Sequence, residues 1–555
     1  MHASKNNIGL FICKCDVDVK TIDYYKLEHY LKNLEPTVRV FFIRELCKNP
    51  STIRDYVKSF NLDSILVVGC FLYKDLMIDE VEGIGLNPLQ VEVIPHRELF
   101  TNFLKDSRDI ATMKLATMIY SSIEKLKLIE LVRQVKPRRV RSHSRLSRRS
   151  LLRAIPQFLT VYEPTPIVYR EKCIGTIACN FCINVCPKRA LSSLNDGNLK
   201  IDNEVCSLCG ICTSVCPTGA IQIPNATDEQ IEAQVKKILQ NFSEEIPCKL
   251  IVFIDSENYR RVLEETIGEK ANLPLEFFPI ELPTLGLLSE NHLLAPIAYG
   301  ACSIIIITGH EDGKSLEYLD MLRRKITVAE NILKAVGFSS PPIYLIEFKD
   351  LKIFLEDLKN LKDKHVDGSV SVKGVVRDYE GDRRTKLIYM IKDLSRDNKI
   401  VGDVVRYEEP CPFAEVVVDR DRCTLCGVCY EKCPTKSFVL TKEVDMMHLG
   451  FIYQKCLGCN LCTSICPENA ITLRRYFSIH KLVDDKPILL VSQELLKCSR
   501  CSRPFITRGK LMKLRKMYGS LGVGDLDKLQ SLKLCPECRR SKIVPAEYDK
   551  WFIYR

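Results

Sequence analysis

Short apolar runs alternate with amphipathic segments in two separate regions of the chain. The runs of the first region are IGLFIC, VRVFFIREL, SILVVGC and VEVIP, and those of the second are KLIVFI, LEFFPIE, SIIIITG and PPIYLIE. Such runs, rich in β-branched residues, predict buried strands, and the segments between them predict helices. Because strands that alternate with helices form parallel sheets, we expect two doubly wound α/β domains, at residues 1–130 and 226–365.

A block dense in cysteine follows each α/β region, so the chain contains a coarse internal repeat. The chain has 555 residues and 27 cysteines, most of them in C-x-x-C units. Its N-terminus lacks the pattern of a secretory signal, and no apolar run reaches membrane-spanning length. We therefore expect a cytoplasmic protein without a transmembrane segment, in which clustered cysteines bind metal instead of forming disulfides.

The apolar fraction of 46% is that of an ordinary globular protein, and the net charge is +11. Much basic character lies in the stretch RQVKPRRVRSHSRLSRRSLLR. Two interpretations are open for this linker: a solvated, flexible connector, or a docking strip for an acidic partner or nucleic acid. No aromatic residues are interleaved there to stack on bases, so no nucleic-acid partner is expected.

The second cysteine block contains the segments CTLCGVCYEKCP and CLGCNLCTSICP. The spacing C-x2-C-x2-C-x3-C-P is the signature of bacterial two-cluster ferredoxins, in which three thiolates of one loop bind a 4Fe–4S cube and the fourth cysteine crosses to the other cube. Zinc knuckles are disfavoured, because they lack the third cysteine and the Cys-Pro ending. The predicted ligands are Cys423, Cys426, Cys429 and Cys466 for one cluster, and Cys456, Cys459, Cys462 and Cys433 for the other.

The first block repeats this pattern with one irregularity. CSLCGICTSVCP has the standard spacing, whereas CIGTIACNFCINVCP has five residues in its first gap. A longer loop still delivers a thiolate, so two more 4Fe–4S clusters are expected, with a three-iron cluster or altered ligation as the alternative at the irregular motif. The predicted ligands are Cys206, Cys209, Cys212 and Cys186 for one cluster, and Cys173, Cys179, Cys182 and Cys216 for the other.

The C-terminal segment carries the two pairs CSRC and CPEC. Four thiolates in a tetrahedral array suit structural zinc, so a zinc ribbon is expected, with a further iron site or free thiols as alternatives. The predicted ligands are Cys498, Cys501, Cys535 and Cys538. Cys248, Cys302 and Cys411 are isolated in the sequence, and we expect them to be buried, small apolar side chains.

The segments IGLFICKCD, ELCKNPSTI, LDSILVVGCF and GLNPLQVEVIPHRELF resemble the N-terminal domain of the flavin-containing iron–sulfur subunit of heterodisulfide reductase, over roughly residues 6–130. The flavin domain of that family is missing, and no G-x-G-x-x-G follows a strand, so no FAD is expected. In a doubly wound sheet the carboxyl ends of the first three strands are neighbours. The cysteines there also match cysteines of that family and predict a further iron–sulfur cluster, with buried or redox-active thiols as the alternative. They are Cys13, Cys15, Cys47 and Cys70.

The second α/β region is similar to the delta subunit of methyl-viologen-reducing hydrogenase, which in that family carries a 2Fe–2S cluster. The positions that match its cysteines hold Asp255, Asn258, His310 and Ser315, so we expect a scaffold turn without a cluster. The same stretch, TGHEDGKS, approaches a phosphate-binding loop, but only three residues separate Gly309 from Gly313 and Thr308 replaces the first glycine. We therefore expect no ATP binding.

Together these features predict a multidomain α/β and α+β protein that serves as a multi-cluster iron–sulfur electron-transfer subunit of a cytoplasmic oxidoreductase. Its expected cofactors are four 4Fe–4S clusters and one zinc, and its expected partners are catalytic and acceptor subunits. By resemblance, the complex is a hydrogenase, a formate dehydrogenase or a heterodisulfide-reductase-like module. No acid, base and nucleophile stand in recognisable positions, so no catalytic residues are predicted and a non-catalytic role is favoured. The alternatives are a catalytic iron–sulfur reductase and, as a weaker one, a cluster-containing nucleic-acid-binding or regulatory protein.

These assignments divide the chain into seven segments. They are an α/β domain at 1–130, a basic linker at 131–165, ferredoxin module 1 at 166–225, a second α/β domain at 226–365, a connector at 366–414, ferredoxin module 2 at 415–475 and a zinc-ribbon tail at 476–555.

Overall fold

The structure is a computed structural model, and its chain forms two compact units. The first comprises residues 1–173 and 181–402, and the second comprises residues 174–180 and 403–555. The residues that the structure describes are 6–14, 21–34, 36–71, 74–100, 107–129, 138–141, 160–309, 315–366, 377–396, 400–405, 407, 411–484, 486–520 and 531–543.

The N-terminal domain is a four-stranded parallel sheet with the strand order β2-β1-β3-β4. All six residues of β3 are buried, as the uninterrupted apolar run requires of a strand covered on both faces. The register pairs Cys13 of β1 with Ile43 of β2, so the ends of these strands are adjacent. The strands are β1 Ile8–Lys14, β2 Val38–Arg44, β3 Ser64–Gly69 and β4 Val91–Pro95, and the helices are α1 Tyr24–Tyr30, α2 Thr52–Phe60, α3 Lys74–Glu82, α4 His96–Phe100 and α5 Arg108–Lys127.

The described part of the basic linker contains two strands, β5 Arg138–Arg141 and β6 Thr160–Glu163, which pair antiparallel. These strands lie within a segment whose sequence favoured a connector. Most of the basic stretch lies outside the described residues.

Module 1 is built from two small antiparallel strand pairs and two short helices. Strand β7 pairs with β10, which joins the first and last strands of the module, and β8 pairs with β9. The elements are β7 Ile167–Val168, α6 Phe181–Val185, β8 Leu191–Ser193, β9 Leu199–Ile201, α7 Ile211–Ser214 and β10 Ile221–Gln222.

The second α/β domain repeats the order of the first, with a parallel sheet β12-β11-β13-β14. The four consecutive isoleucines of β13 are all buried. The elements are α8 Asp228–Gln240, β11 Leu250–Asp255, α9 Ser256–Gly268, β12 Phe277–Leu282, α10 Glu290–Ala298, β13 Ser303–Thr308, α11 Ser315–Ala335, β14 Ile343–Glu347, α12 Leu351–Val366 and α13 Arg383–Arg396. Helix α13 lies in the segment that the sequence favoured as a connector, and its aliphatic side chains and Met390 are buried.

The second unit contains module 2 and the tail. Module 2 and the tail share one antiparallel sheet with the strand order β17-β18-β21-β22. In this sheet β21 of the tail pairs with β18 of module 2. The elements are β15 Val404–Val405, β16 Glu415–Val418, α14 Val428–Lys432, β17 Phe438–Lys442, β18 Met446–Phe451, α15 Leu461–Ser464, β19 Ile471–Arg474, β20 Phe477–Ser478, α16 Ile479–Val483, β21 Ile488–Lys497, β22 Pro504–Thr507, α17 Arg508–Ser520 and α18 Pro536–Ile543.

The prediction for two of the isolated cysteines was wrong. Cys248 and Cys302 form a disulfide, with their Cα atoms 5.4 Å apart, and both are only half-buried. They come together because each precedes one of two adjacent parallel strands, β11 and β13. Cys411 is buried, as expected, and its thiol donates to the carbonyl oxygen of Phe413 at 3.4 Å.

Among the helices in the described ranges, none has both the length and the hydropathy that a membrane crossing requires.

Candidate metal centres

The four Cys-Pro turns of the ferredoxin motifs have the same local structure. In each turn the sulfur of the last cysteine accepts a hydrogen bond from the amide four residues later, at 3.2–3.4 Å. The residue three positions after that cysteine is left-handed each time, which aims the amide back at the sulfur. These residues are Arg189, Gly219, Lys436 and Asn469, with φ values of 53°, 66°, 52° and 46°. An N–H donor favours a thiolate over a thiol, so this geometry suits a sulfur that binds a metal.

The C-x-x-C-x-x-C loops also share backbone geometry. In CSLCGIC, Leu208 and Gly210 are left-handed, and in CTLCGVC Leu425 and Gly427 occupy the same two positions. In the motif that begins at Cys456, Gly458 and Asn460 are left-handed at the same two positions. A leucine with positive φ is strained, and such strain persists where surrounding contacts over-determine the backbone. Alternating left-handed residues turn successive amides to one side and form the concave nests in which iron–sulfur clusters bind.

In module 2 the structure brings together the cysteines that the sequence grouped. One cavity is lined by Cys423, Cys426, Cys429 and Cys466. Burial, followed by repulsion from the other three thiolates, raises the pKa of Cys429 to about 12.

The other half of module 2 has the same arrangement around Cys462. Burial and the neighbouring thiolates of Cys456, Cys459 and Cys433 raise its pKa above the usual range. The pKa of Cys433 moves in the opposite direction: although burial opposes ionisation, donors from Ser437 and Thr435 lower it. Because its charge acts on Cys462, Cys433 lies near the loop that holds Cys456, Cys459 and Cys462. The spacing predicts that Cys433 crosses to this loop.

In module 1, Cys182, Cys212 and Cys216 pack in one buried cluster, against which Cys173 and Cys186 are packed. Burial, with repulsion from Cys209, Cys206, Cys182 and Cys186, raises the pKa of Cys212 well above its usual value. Cys179 lies in the segment 174–180, which groups with the second unit, and its amide donates to the carbonyl oxygen of Gly175 at 2.9 Å.

A loop of the second α/β domain covers the standard motif of module 1, a contact that no sequence pattern indicates. Thr284 donates its hydroxyl to the carbonyl oxygen of Cys209 at 3.1 Å. Two glycines permit the approach: a Cβ on Gly286 would lie 2.0 Å from that same oxygen, and a Cβ on Gly210 would lie 2.8 Å from the amide nitrogen of Leu287. The loop thus contacts the backbone of the cysteine motif directly.

In the N-terminal domain, Cys13, Cys47 and Cys70 belong to one buried core cluster, and they stand at or just after the carboxyl ends of β1, β2 and β3. Cys15 lies outside the described residues. Burial, with the charges of Glu98 and Cys47, raises the pKa of Cys70 to about 12. An Arg97 nitrogen approaches the sulfur of Cys70 at 4.0 Å, a neighbour that the sequence did not indicate.

In the second α/β domain, Asp255 and Asn258, two of the four residues for which the sequence predicts a scaffold turn without a cluster, form a helix cap. Asp255 accepts from the amide and from the side chain of Asn258, at 2.9 and 2.7 Å, at the start of α9. His310, Gly313 and Lys314 lie outside the described residues, and the side chain of Ser315 is not described either.

The four tail cysteines converge on one point. The sulfurs of Cys498, Cys501, Cys535 and Cys538 all lie within 4.8 Å of one another, and within the described ranges no other set of His, Cys, Asp or Glu is so close. The amides of Cys535 and Arg500 donate to the sulfur of Cys498, and despite burial such donors lower the pKa of Cys498 to about 6. Two knuckles with four convergent sulfurs fit a tetrahedral metal ion.

Comparisons with known proteins agree with this geometry. Residues 416–473 match the family described as the 4Fe-4S dicluster domain, and residues 199–222 match the 4Fe-4S binding domain. The chain is similar to an iron-sulfur subunit of the CoB--CoM heterodisulfide reductase of Methanopyrus kandleri, with 27% identity over 128 residues, which are 22% of this chain and 19% of that protein. It is also similar to the pyruvate synthase subunit PorD of Thermotoga maritima, with 34% identity over 58 residues, which are 10% of this chain and 56% of that protein. Both relatives are therefore covered over less than two thirds of their length.

A third relative is matched over most of its length. It is an uncharacterised ferredoxin of Methanocaldococcus jannaschii, which is 35% identical over 60 residues, or 11% of this chain and 78% of that ferredoxin. With this coverage, the two domain matches and the four equivalent Cys-Pro turns, the chain belongs to the 4Fe–4S ferredoxin family.

Proposed function

We propose that the chain is a multi-cluster electron-transfer subunit of an oxidoreductase complex. The observation that carries the proposal is the shared geometry of the four Cys-Pro turns, each with a left-handed residue and an N–H···S bond in the same position. Iron–sulfur clusters, when bound, supply one-electron transfer over a wide range of potentials. Four such carriers in one chain suit conduction of electrons between subunits.

The cysteines divide into four ligand sets in this proposal. Cys423, Cys426, Cys429 and Cys466 line one cavity, which supports their assignment to one cluster. The equivalent sets are Cys456, Cys459, Cys462 and Cys433; Cys206, Cys209, Cys212 and Cys186; and Cys173, Cys179, Cys182 and Cys216. The place of Cys179 in the last set rests on its motif. In each set the N–H donor of the Cys-Pro turn points at one sulfur and would stabilise it as a thiolate ligand.

We further propose that Cys13, Cys15, Cys47 and Cys70 bind an additional iron–sulfur cluster. The support is that three of these cysteines lie buried at the carboxyl ends of adjacent parallel strands. Burial is the main cause that raises the pKa of Cys70 to about 12, so this thiol needs a bound cation to become a thiolate.

The tail cysteines are proposed to bind one zinc ion. Their four sulfurs converge closely enough for a single ion, and all four ligands come from knuckles that leave no position for a substrate. A closed set of four thiolates is typical of a structural site, so the metal stabilises the tail and does not take part in electron transfer.

The relatives indicate the kind of complex. Their names describe subunits of a heterodisulfide reductase and of a pyruvate synthase. We propose that the partners of this chain are the catalytic and acceptor subunits of a hydrogenase, a formate dehydrogenase or a heterodisulfide-reductase-like module in the cytoplasm. The second α/β domain, similar to the hydrogenase delta subunit, serves as a scaffold because its matching positions form a helix cap.

Anaerobic iron and sulfide analysis of the full chain tests the proposal. Four occupied ferredoxin sites give about sixteen irons, before any cluster of the N-terminal domain is counted. Cys411→Ser is the matched control, because Cys411 is a buried cysteine outside every motif and its replacement should leave the iron content unchanged. An iron content near eight per chain would contradict two of the four proposed clusters.

A further inference from the structure

The first residue of helix α13 reaches into module 1. The side chain of Arg383 is 5% exposed. Its guanidinium donates to two carbonyl oxygens, that of Cys216 at 3.0 Å and that of Thr213. The carbonyl of Thr213 lies in the last turn of the short helix α7, which carries Cys212, and the carbonyl of Cys216 belongs to the Cys-Pro turn. A buried cation is therefore fixed against the backbone of a proposed cluster ligand.

Behind this cation lies a buried anion. Asp228 accepts from Arg383 through both carboxylate oxygens, at 2.6 and 2.7 Å. Although burial opposes ionisation, Arg383 and His292 hold the pKa of Asp228 well below its usual value. Asp228 also begins helix α8, where its negative charge favours the helix dipole.

His292 is the third side chain of this group. The amide of Ser289 donates to Nδ1 of His292 at 3.1 Å, and Nε2 lies 3.3 Å from a carboxylate oxygen of Asp228. Arg383 and Asp228 form an oriented pair of opposite charges, with the positive end toward Cys216.

Such an oriented pair acts on a nearby redox centre although its net charge is zero. Both side chains are largely removed from water, so their field is weakly screened. The nearer, positive end stabilises the form with the additional electron. Hydrogen bonds and charges around the ligands are among the means by which proteins adjust cluster potentials.

We propose that Arg383 and Asp228 are positioning residues that set the reduction potential of the cluster ligated by Cys216, Arg383 raising it and Asp228 limiting the rise. The proposal rests on the cluster assignment of the proposed function. It gives the segment between the second α/β domain and module 2 a role in electron transfer, because this segment supplies the cation.

The test is an anaerobic redox titration of the full chain, followed by electron paramagnetic resonance. The signal of this cluster is the one that Cys216→Ser removes or alters. Arg383→Gln should lower its midpoint potential, and Asp228→Asn should raise it. At a fixed potential, each substitution should change the ratio of reduced to oxidised cluster by about tenfold. For a one-electron couple this change corresponds to a shift of about 59 mV in the midpoint potential. The double variant should lie between the two, and Arg383→Lys should stay closer to the unmodified chain than Arg383→Gln does.

Arg396→Gln is the matched control. Arg396 lies at the other end of the same 14-residue helix, roughly 20 Å away, and is 65% exposed. Its loss should leave the potential unchanged. If Arg383→Gln loses the cluster, the midpoint potential of Asp228→Asn alone tests the proposal. This variant keeps the guanidinium of Arg383 on the two carbonyl oxygens.

The outcomes separate the two proposals. If no signal responds to Cys216→Ser, the cluster assignment fails and this inference fails with it. If the signal exists but Asp228→Asn leaves the potential unchanged or lowers it, the inference is wrong and the cluster assignment stands.

Discussion

Replacement of Gly286 by alanine should loosen one cluster of module 1 by forcing the covering loop away. A Cβ at this position would lie 2.0 Å from the carbonyl oxygen of Cys209 and 2.7 Å from the Cβ of Tyr318, whereas ordinary contacts begin at 3.4 Å. Neither obstacle is the end of a flexible side chain, so the backbone must shift by more than about 1 Å. Overpacking of this kind costs up to about 3 kcal/mol.

The rate of iron release reports this cost. If iron leaves the cluster of Cys206, Cys209, Cys212 and Cys186 through local opening of the loop, then 2–3 kcal/mol favours the open state by roughly 30- to 140-fold. Transfer of iron to a coloured chelator under anaerobic conditions should then show about four of some sixteen irons leaving faster by this factor.

Gly268→Ala is the control for this experiment. Gly268 ends helix α9, and no atom lies within 4 Å of the Cβ that alanine would add. Alanine in a helix is more favourable than glycine by about 0.5–1 kcal/mol, so this variant should release iron at the original rate. Equal release rates for Gly286→Ala and Gly268→Ala would refute the argument that the loop restrains the cluster.

Three further predictions address the remaining sites. Cys535→Ser should release about one zinc per chain and leave the visible cluster absorbance largely intact, because its site is separate from the motifs; parallel loss of iron would show a cluster in the tail. Cys47→Ser in the full chain should lower the iron content by about four, whereas unchanged iron would favour buried thiols in the N-terminal domain. Calorimetry with ATP and magnesium should show no binding, and a micromolar affinity that Lys314→Ala abolishes would contradict the spacing argument.

The two parallel sheets were predictable because their signal is local. Inner strands such as β3 and β13 are apolar runs that are buried throughout, and β1 lies between β2 and β3 as alternation of strands and helices predicts. The cysteine motifs are also local, because three of the four thiols in each predicted set come from one loop. Their spacing alone predicts which cysteine crosses to the neighbouring set.

Contacts between distant residues were not visible in the sequence. Arg383 and Asp228 are 155 positions apart, and no local pattern relates them. Helix α13 itself had a signal, since Leu387, Ile391 and Leu394 follow helical spacing and are buried. Its many charged residues favoured the interpretation as a connector. The disulfide between Cys248 and Cys302, 54 positions apart, became visible only when the sheet placed two strand starts side by side.

Hydrogen bonds that composition does not indicate cross the boundary between module 2 and the tail. Gln493 of β21 donates to the carbonyl oxygen of Cys423 at 2.6 Å, and Thr507 donates to that of Thr424 at 2.8 Å. The tail hairpin therefore holds the first turn of a cysteine motif, in the way that Thr284 holds Cys209 in module 1. In both modules a segment distant in sequence fixes the carbonyls of a cysteine loop, because a loop with strained, left-handed residues needs outside contacts to keep its shape.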